Sequence, residues 1–204
     1  MELWVKLKTD HTVGKFHQLQ RELRYNGFMD EKYIVNIFGA MTTGKSTLVE
    51  SLQKYIDRIY TVDYDVVKKQ ISGFYSKRDR EVATKIAYGT LDSATKTGLS
   101  ILALLPPPKD EEEYRQIESA AGYNGYKVIN IELVAPLDIL VDRYKQRLRS
   151  LQEQGGDTSR LRTIEEFKEI VQTSYFKPNG THTFDSSILS PDKILEDTKQ
   201  LIAG

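Results

Sequence analysis

Cysteine is missing altogether from the 204 residues, which removes disulfides, thiolate nucleophiles and cysteine-ligated zinc together. Histidine is scarce: His11, His17 and His182 are scattered without metal-ligand spacing, and no serine–histidine–aspartate pattern is readable. Neither sign of charge prevails, with 29 Lys and Arg against 29 Asp and Glu. That balance excludes the bulk positive field that gathers nucleic acid non-specifically, so a nucleic-acid partner would need a local basic stripe. Long apolar runs are also lacking. The longest, residues 99–105 with Ser100 inside it, is far too short to span a bilayer, and the opening MELWVKLKTDH has no apolar leader core. We expect a cytoplasmic protein with no membrane partner.

What is present is a regular alternation. Apolar, β-rich runs at Tyr33–Phe38, Arg58–Val62, Leu99–Leu105, Lys127–Val134 and His182–Phe184 predict strands. Helical spacing covers 45–57, 66–96 with a break near Gly73, 110–121, 136–149, 163–173 and 191–202. Strands alternating with helices predict an α/β fold, a mostly parallel sheet of about five strands with helices on both faces. Ligands of such sheets gather at the carboxyl ends of the strands. Residues 1–30 read as a helical N-terminal extension through FHQLQRELRY, and 31–204 as one domain. The polar, glycine-paired LQEQGGDTSRLR opens a lid segment of about 150–180.

Within the first strand–helix unit stands GAMTTGKST, residues 39–47. Its GxxxxGK[ST] spacing has a mechanism: Gly39 and Gly44 let the backbone form a nest whose amides point at phosphate oxygens. Ala40, Met41, Thr42, Thr43 and Thr47 complete the nest, Lys45 reaches the β- and γ-phosphates, and the Ser46 hydroxyl ligates Mg²⁺. ATP or GTP with Mg²⁺ is the implied ligand. The next strand should end beside the first, with two acids, Asp63 and Asp65, at its end. One of them is placed to take the proton of a hydroxyl acceptor. Asp65 alternatively caps a helix starting at Val66, and Asp63 alternatively holds the Mg²⁺ water shell.

GAMTTGKST followed by TVDYDVVKK resembles the P-loop kinase group that includes polynucleotide kinases, zeta toxins and small-molecule phosphotransferases. The resemblance, carried on a P-loop NTPase fold, implies that Asp65 is the catalytic base and Lys68 the basic residue three positions on, where the group more often has arginine. A second likeness lies in GYKVINIELVAPLDILVDRYKQRLRS, whose Arg143 and Arg147 keep an RxxxR spacing. It implies that both face the donor nucleotide and that Arg147 neutralises its phosphates. The likeness runs over about residues 33–203, and only the loop is highly specific. One departure stands out: relatives carry an acidic group after strand three, whereas this chain has ILALLPPPKDEEE. Glu111, Glu112 and Glu113 there read as the acidic first turn of a helix.

The implied activity is transfer of a γ-phosphate to a hydroxyl. The resemblance favours a polynucleotide or nucleotide 5′-hydroxyl, with Asp63, Lys68 and Arg78 at the acceptor and Lys77 and Arg80 extending the basic contact. A nucleotide sugar, as for the zeta toxins, is the alternative acceptor. A nucleotide-binding switch without catalysis is the alternative class.

Overall fold

The computed structural model describes residues 31–155 and 161–204. The helical extension expected over 1–30 lies outside the described residues, as does the 156–160 part of the expected lid. The apolar KYIVNIF forms β1, Lys32–Phe38, and 34–38 are all buried. The phosphate-loop motif follows, then α1, Lys45–Tyr55. β2 spans Tyr60–Asp63 and passes directly into α2, Tyr64–Gln70. Gly73, at φ 64°, makes the break before α3, Ser76–Thr95. β3, Ile101–Leu104, leads through the three prolines to α4, Glu111–Asn124. Asp110 caps α4 by accepting from the Glu113 amide, so the glutamate run is a helix first turn, as expected. β4, Tyr126–Val134, is followed by α5, Leu137–Glu153. α6, Ile164–Val171, β5, His182–Asp185, and α7, Pro191–Ala203, complete the described chain.

The five strands pair in the order β2-β3-β1-β4-β5, and every pair is parallel. This corrects one expectation: β2 does not end beside β1, because β3 lies between them. The reason is topological, since an apolar run announces a strand but not its neighbours. Alternating residues serve two cores. Ile34, Val62, Ile101 and Ala103 face α2, α3 and α4, while Val35, Ile37, Leu102, Ile129 and Ile131 face α1 and α7. A buried polar chain fixes the register on the first face: Asn36 Nδ2 donates to Asn130 Oδ1 at 2.9 Å, and Asn130 Nδ2 to the Tyr114 hydroxyl at 2.6 Å. A one-residue slip of β1 on β4 would orphan these groups in the core.

A third cluster joins α5 to α6. Phe167, fully buried, stacks on Tyr144 with ring centroids 4.2 Å apart, and Ala40 and Met41 of the phosphate loop pack against the same group. The segment expected as a lid thus holds a packed helix beside the loop. Among the described residues, no helix is long and apolar enough to cross a membrane.

Candidate nucleotide-binding and phosphotransfer site

The turn after β1 requires glycine for two reasons. A Cβ at Gly39 would stand 2.1 Å from the Leu133 carbonyl oxygen of β4, and Gly44 holds φ 98° at the start of α1. No side chain caps α1 and its first turn holds no acid, so its amides and the positive end of its dipole are directed at the loop. Thr43 is buried and donates to the Ala40 carbonyl at 2.9 Å. Thr42 adopts φ 64°, rare for a β-branched residue. Its hydroxyl lies 2.6 Å from the Met41 carbonyl and 3.1 Å from that of Leu140 on α5. Lys45 Nζ turns into the nest and donates to the carbonyls of Gly39 and Ala40 at 2.9 and 2.6 Å. Burial pushes its pKa down to about 8, with Asp65 and Asp63 opposing. Ser46 and Thr47 are exposed at the mouth. The cradle, the helix end and the buried cation fit a polyphosphate.

On the β4–β5 side, a cavity of about 300 Å³ opens beside the loop, lined by Thr42, Gly44, Leu133, Arg143, Leu189 and Ile194 among others. Its size and apolar walls suit a nucleobase and its sugar. Arg143 crosses its edge: Nη1 donates to Ser186 Oγ at 2.8 Å and to the Thr42 carbonyl at 3.4 Å, and Nη2 to the Ser186 carbonyl at 2.6 Å. One guanidinium therefore ties the phosphate loop to the turn after β5.

The acids lie on the opposite side, at the β2 edge. Asp63, level with Leu104 of β3, caps α2 by accepting from the Asp65 amide at 2.7 Å. The expected helix start at Val66 is thereby corrected to Tyr64, and the capping carboxylate is Asp63. Asp65 stands in the first turn, its side chain 70% exposed and ion-paired with Lys68. Burial raises the Asp65 pKa, but the Lys68 hydrogen bond and charge, with Lys45 and Lys69, outweigh it and hold the carboxyl below the usual aspartate range. Lys68 Nζ also sits 5.0 Å over the Tyr64 ring. The structure thus brings Lys45, Asp63 and Asp65 within electrostatic reach across the β3 gap.

The remaining candidates stand apart. Arg78 forks onto Asp79 at 2.7 and 2.8 Å and onto the Gly73 carbonyl at 3.1 Å, while Asp79 accepts from the Tyr75 amide at 2.8 Å. It ties down the start of α3. Arg147, one turn beyond Arg143, is exposed on α5, and its side chain makes no hydrogen bond or ion pair among the described residues. Of Lys77, no side-chain position is described.

Sequence reasoning missed two residues. Arg162 precedes α6, its carbonyl held by the Tyr144 hydroxyl at 2.9 Å and its Nη1 3.6 Å from the Met41 sulfur in the phosphate loop. The legible signal was the capping box Thr163-x-x-Glu166 immediately after it, which fixes the backbone of a residue otherwise read as loop. Glu132 is the lone acid in the apolar β4 run, 6% exposed. It accepts from Tyr175 at 2.7 Å, Thr183 at 2.9 Å and Lys177 at 2.7 Å. It anchors the segment before β5 against the end of the sheet, where the Tyr175 ring meets Phe38 edge-on.

No family model matches the chain, and no curated protein matches it in sequence. Solved structures do match in shape. A Chloroflexus aurantiacus protein classed provisionally as a kinase shares 19% identity at a TM-score of 0.65, covering 86% of this chain and 98% of that one. A sugar kinase from a Janibacter species shares 13% identity at 0.61, covering 84% and 95%. The APS kinase of Mycobacterium tuberculosis, solved with AMPPNP and APS, shares 17% identity at 0.58, covering 85% and 99%. The chain has the fold of these P-loop kinases, an α/β domain with a five-stranded, all-parallel sheet and seven helices among its described residues.

Proposed function

We propose that the protein is a kinase of the polynucleotide kinase and zeta toxin-like group, transferring the γ-phosphate of ATP or GTP to a hydroxyl, with a polynucleotide or nucleotide 5′-hydroxyl as acceptor. The observation that carries this reading is the placement of two features on opposite sides of one phosphate loop. The base-sized cavity at Arg143 lies on the β4–β5 side, and Asp63 and Asp65 lie at the β2 edge. A triphosphate running through the loop from that cavity presents its γ-phosphate to the acids.

The residues then take these roles. Lys45 bridges β- and γ-oxygens, Arg143 holds the base side, and the loop amides from Gly39 to Thr47 hold the phosphates. Mg²⁺, when bound, neutralises the charge between the β- and γ-phosphates, with Ser46 as its protein ligand. The acceptor oxygen attacks the γ-phosphorus in line; its new O–P bond forms as the bond to the β-bridging oxygen breaks, and the nucleoside diphosphate leaves. Asp65, ionised, accepts the hydroxyl's hydrogen bond and then its proton. A loose transition state asks for orientation more than for a strong base, which a carboxylate held below its usual range supplies. Arg147 adds charge to the transferred group when the lid closes. Asp63 and Lys68 flank the acceptor, Arg78 would join them only on leaving Asp79, and the cytoplasm is the setting we assign.

The test is direct. The protein is incubated with γ-labelled ATP and Mg²⁺ together with a 5′-hydroxyl oligonucleotide, a nucleotide sugar, or no acceptor. Label on the oligonucleotide, declining with salt, supports the reading. Label on the nucleotide sugar alone transfers the assignment to the zeta toxin-like alternative, and release of free phosphate alone overturns the kinase reading.

A further inference from the structure

The polar groups on the wall of the base-sized cavity are engaged within the protein. The Thr43 hydroxyl donates to the Ala40 carbonyl at 2.9 Å, and that of Thr42 is turned to the carbonyls of Met41 and Leu140. Ser186 Oγ accepts from Arg143 at 2.8 Å and donates to the Val134 carbonyl at 3.1 Å, while the Ser186 carbonyl takes the second guanidinium nitrogen at 2.6 Å. The backbone follows the same pattern. The amides of Ser186, Leu189 and Ile194 donate to the carbonyls of Val134, Asp185 and Ser190 at 2.9, 2.9 and 3.1 Å, and Pro191 has no N–H to offer.

Of the polar side chains on this wall, Thr47 alone is unengaged among the described residues, and it stands in the first turn of α1 beside Ser46, at the phosphate end. The rest of the wall is Gly44 and the aliphatic side chains of Leu48, Leu133, Leu189, Pro191 and Ile194. Nucleobases differ at their edges, in which atoms donate and which accept, and are alike in having an apolar face. The wall offers area to a face, and its hydrogen bonds are closed to an edge. Arg143 adds a planar cation, which attracts any base ring.

We propose that the donor site is indifferent to the base: it takes the triphosphates of adenosine, guanosine and uridine alike, gripping the base by its faces and selecting the ligand by its phosphates. The inference rests on the donor site of the kinase reading above and names that site's substrate class. Magnitudes separate it from the alternative. A pocket built to bond one edge rejects a ligand that leaves its buried groups unpaired by about 10⁴ or more, whereas an apolar wall separates ligands only by the area they cover, on the order of tenfold.

Calorimetry on the full chain with Mg²⁺ tests it, using AMPPNP, GMPPNP, the corresponding uridine analogue and inorganic tripolyphosphate. The two purine analogues should bind within about tenfold of each other, and the uridine analogue, which covers less wall, within about tenfold of the weaker purine. Tripolyphosphate, with no base to bury, should bind about tenfold or more below AMPPNP. Leu189→Ala should weaken the three analogues by one common factor, about threefold or more, and leave tripolyphosphate unchanged. A gap beyond about tenfold in either base comparison, unequal losses among the analogues in Leu189→Ala, or tripolyphosphate binding as tightly as AMPPNP would each overturn the proposal alone. Failure of all four ligands to bind would overturn the donor reading beneath it.

Discussion

Arg143 grips Ser186 twice, through its hydroxyl at 2.8 Å and its carbonyl at 2.6 Å, and the same guanidinium reaches the Thr42 carbonyl. The turn after β5 and the phosphate loop are therefore held at a fixed separation across the base-sized cavity. Arg143→Ala should weaken Mg·ATP binding by about tenfold or more, the scale of lost charge-assisted hydrogen bonds. Inorganic tripolyphosphate, which has no base, should lose less. Calorimetric titration of both ligands checks this, and equal losses would place Arg143 on the phosphates instead.

Thr42 carries backbone strain at φ 64° inside the loop. An αL conformation costs a non-glycine residue roughly 1–2 kcal/mol, and branching at Cβ worsens it. Its hydroxyl contacts, to Met41 and Leu140, offset part of that cost. Thr42→Val keeps the strain and loses the hydroxyl, whereas Thr42→Gly loses both. Valine should therefore be the more destabilising replacement, by about 1 kcal/mol or more in urea unfolding. Since both variants lose the hydroxyl, glycine proving the worse would contradict the assignment of strain to Thr42.

The pKa of Lys45, lowered to about 8, sets a pH dependence for the donor. Bound phosphates favour the charged ammonium and raise that value in the complex. Below about pH 8 the lysine is already protonated and affinity is level; above it, binding must recruit a proton. Mg·ATP affinity should fall by up to about tenfold per pH unit above that point, and Lys45→Met should abolish the dependence together with most of the affinity. In the free protein the sign reverses for folding: burial disfavours the ammonium, so stability gains as pH rises from about 8 toward the ordinary lysine value of 10.5.

Asp65 and Lys68 make the acid side equally specific. The carboxyl is held below the usual aspartate range by Lys68, so loss of turnover by protonation of Asp65 should begin only below that range. Lys68→Met removes the largest favourable influence and should move the acid limb to higher pH. Asp65→Asn should cut turnover by about 10² or more with little change in donor affinity. Asp63→Asn keeps a capping oxygen for the Asp65 amide and should leave turnover and stability close to wild type, whereas Asp63→Ala should lose about 1 kcal/mol with the α2 cap. A larger turnover loss from Asp63→Asn would transfer the base role to it.

Local patterns carried most of the fold. Each expected strand overlaps an observed one, because five apolar runs bounded by turn residues have little alternative to strands. The phosphate loop was legible for a similar reason: Gly39 answers to an approach of Leu133 that no Cβ tolerates, and Gly44 to a positive φ that side chains disfavour. The order of strands was not legible, since β3 inserts between β1 and β2 through pairing that leaves no local trace. Nor was the pairing of Arg78 with Asp79, neighbours in sequence whose side chains converge at the start of α3, where Asp79 also accepts from the Tyr75 amide. Arg162 was hidden in a stretch with loop composition, and only its contact with Met41, 121 residues earlier, gives it meaning.

The central claim is that a triphosphate held by the loop delivers its γ-phosphate to a hydroxyl at Asp65. Transfer of label from γ-labelled ATP to a 5′-hydroxyl acceptor, measured beside Mg·ATP binding in wild type, Lys45→Ala and Asp65→Asn, tests it most directly. The account predicts transfer by wild type, loss of both binding and transfer in Lys45→Ala, and loss of transfer with binding kept in Asp65→Asn. Wild-type protein that binds Mg·ATP but labels no acceptor, or Asp65→Asn protein that labels it as fast as wild type, would contradict the claim.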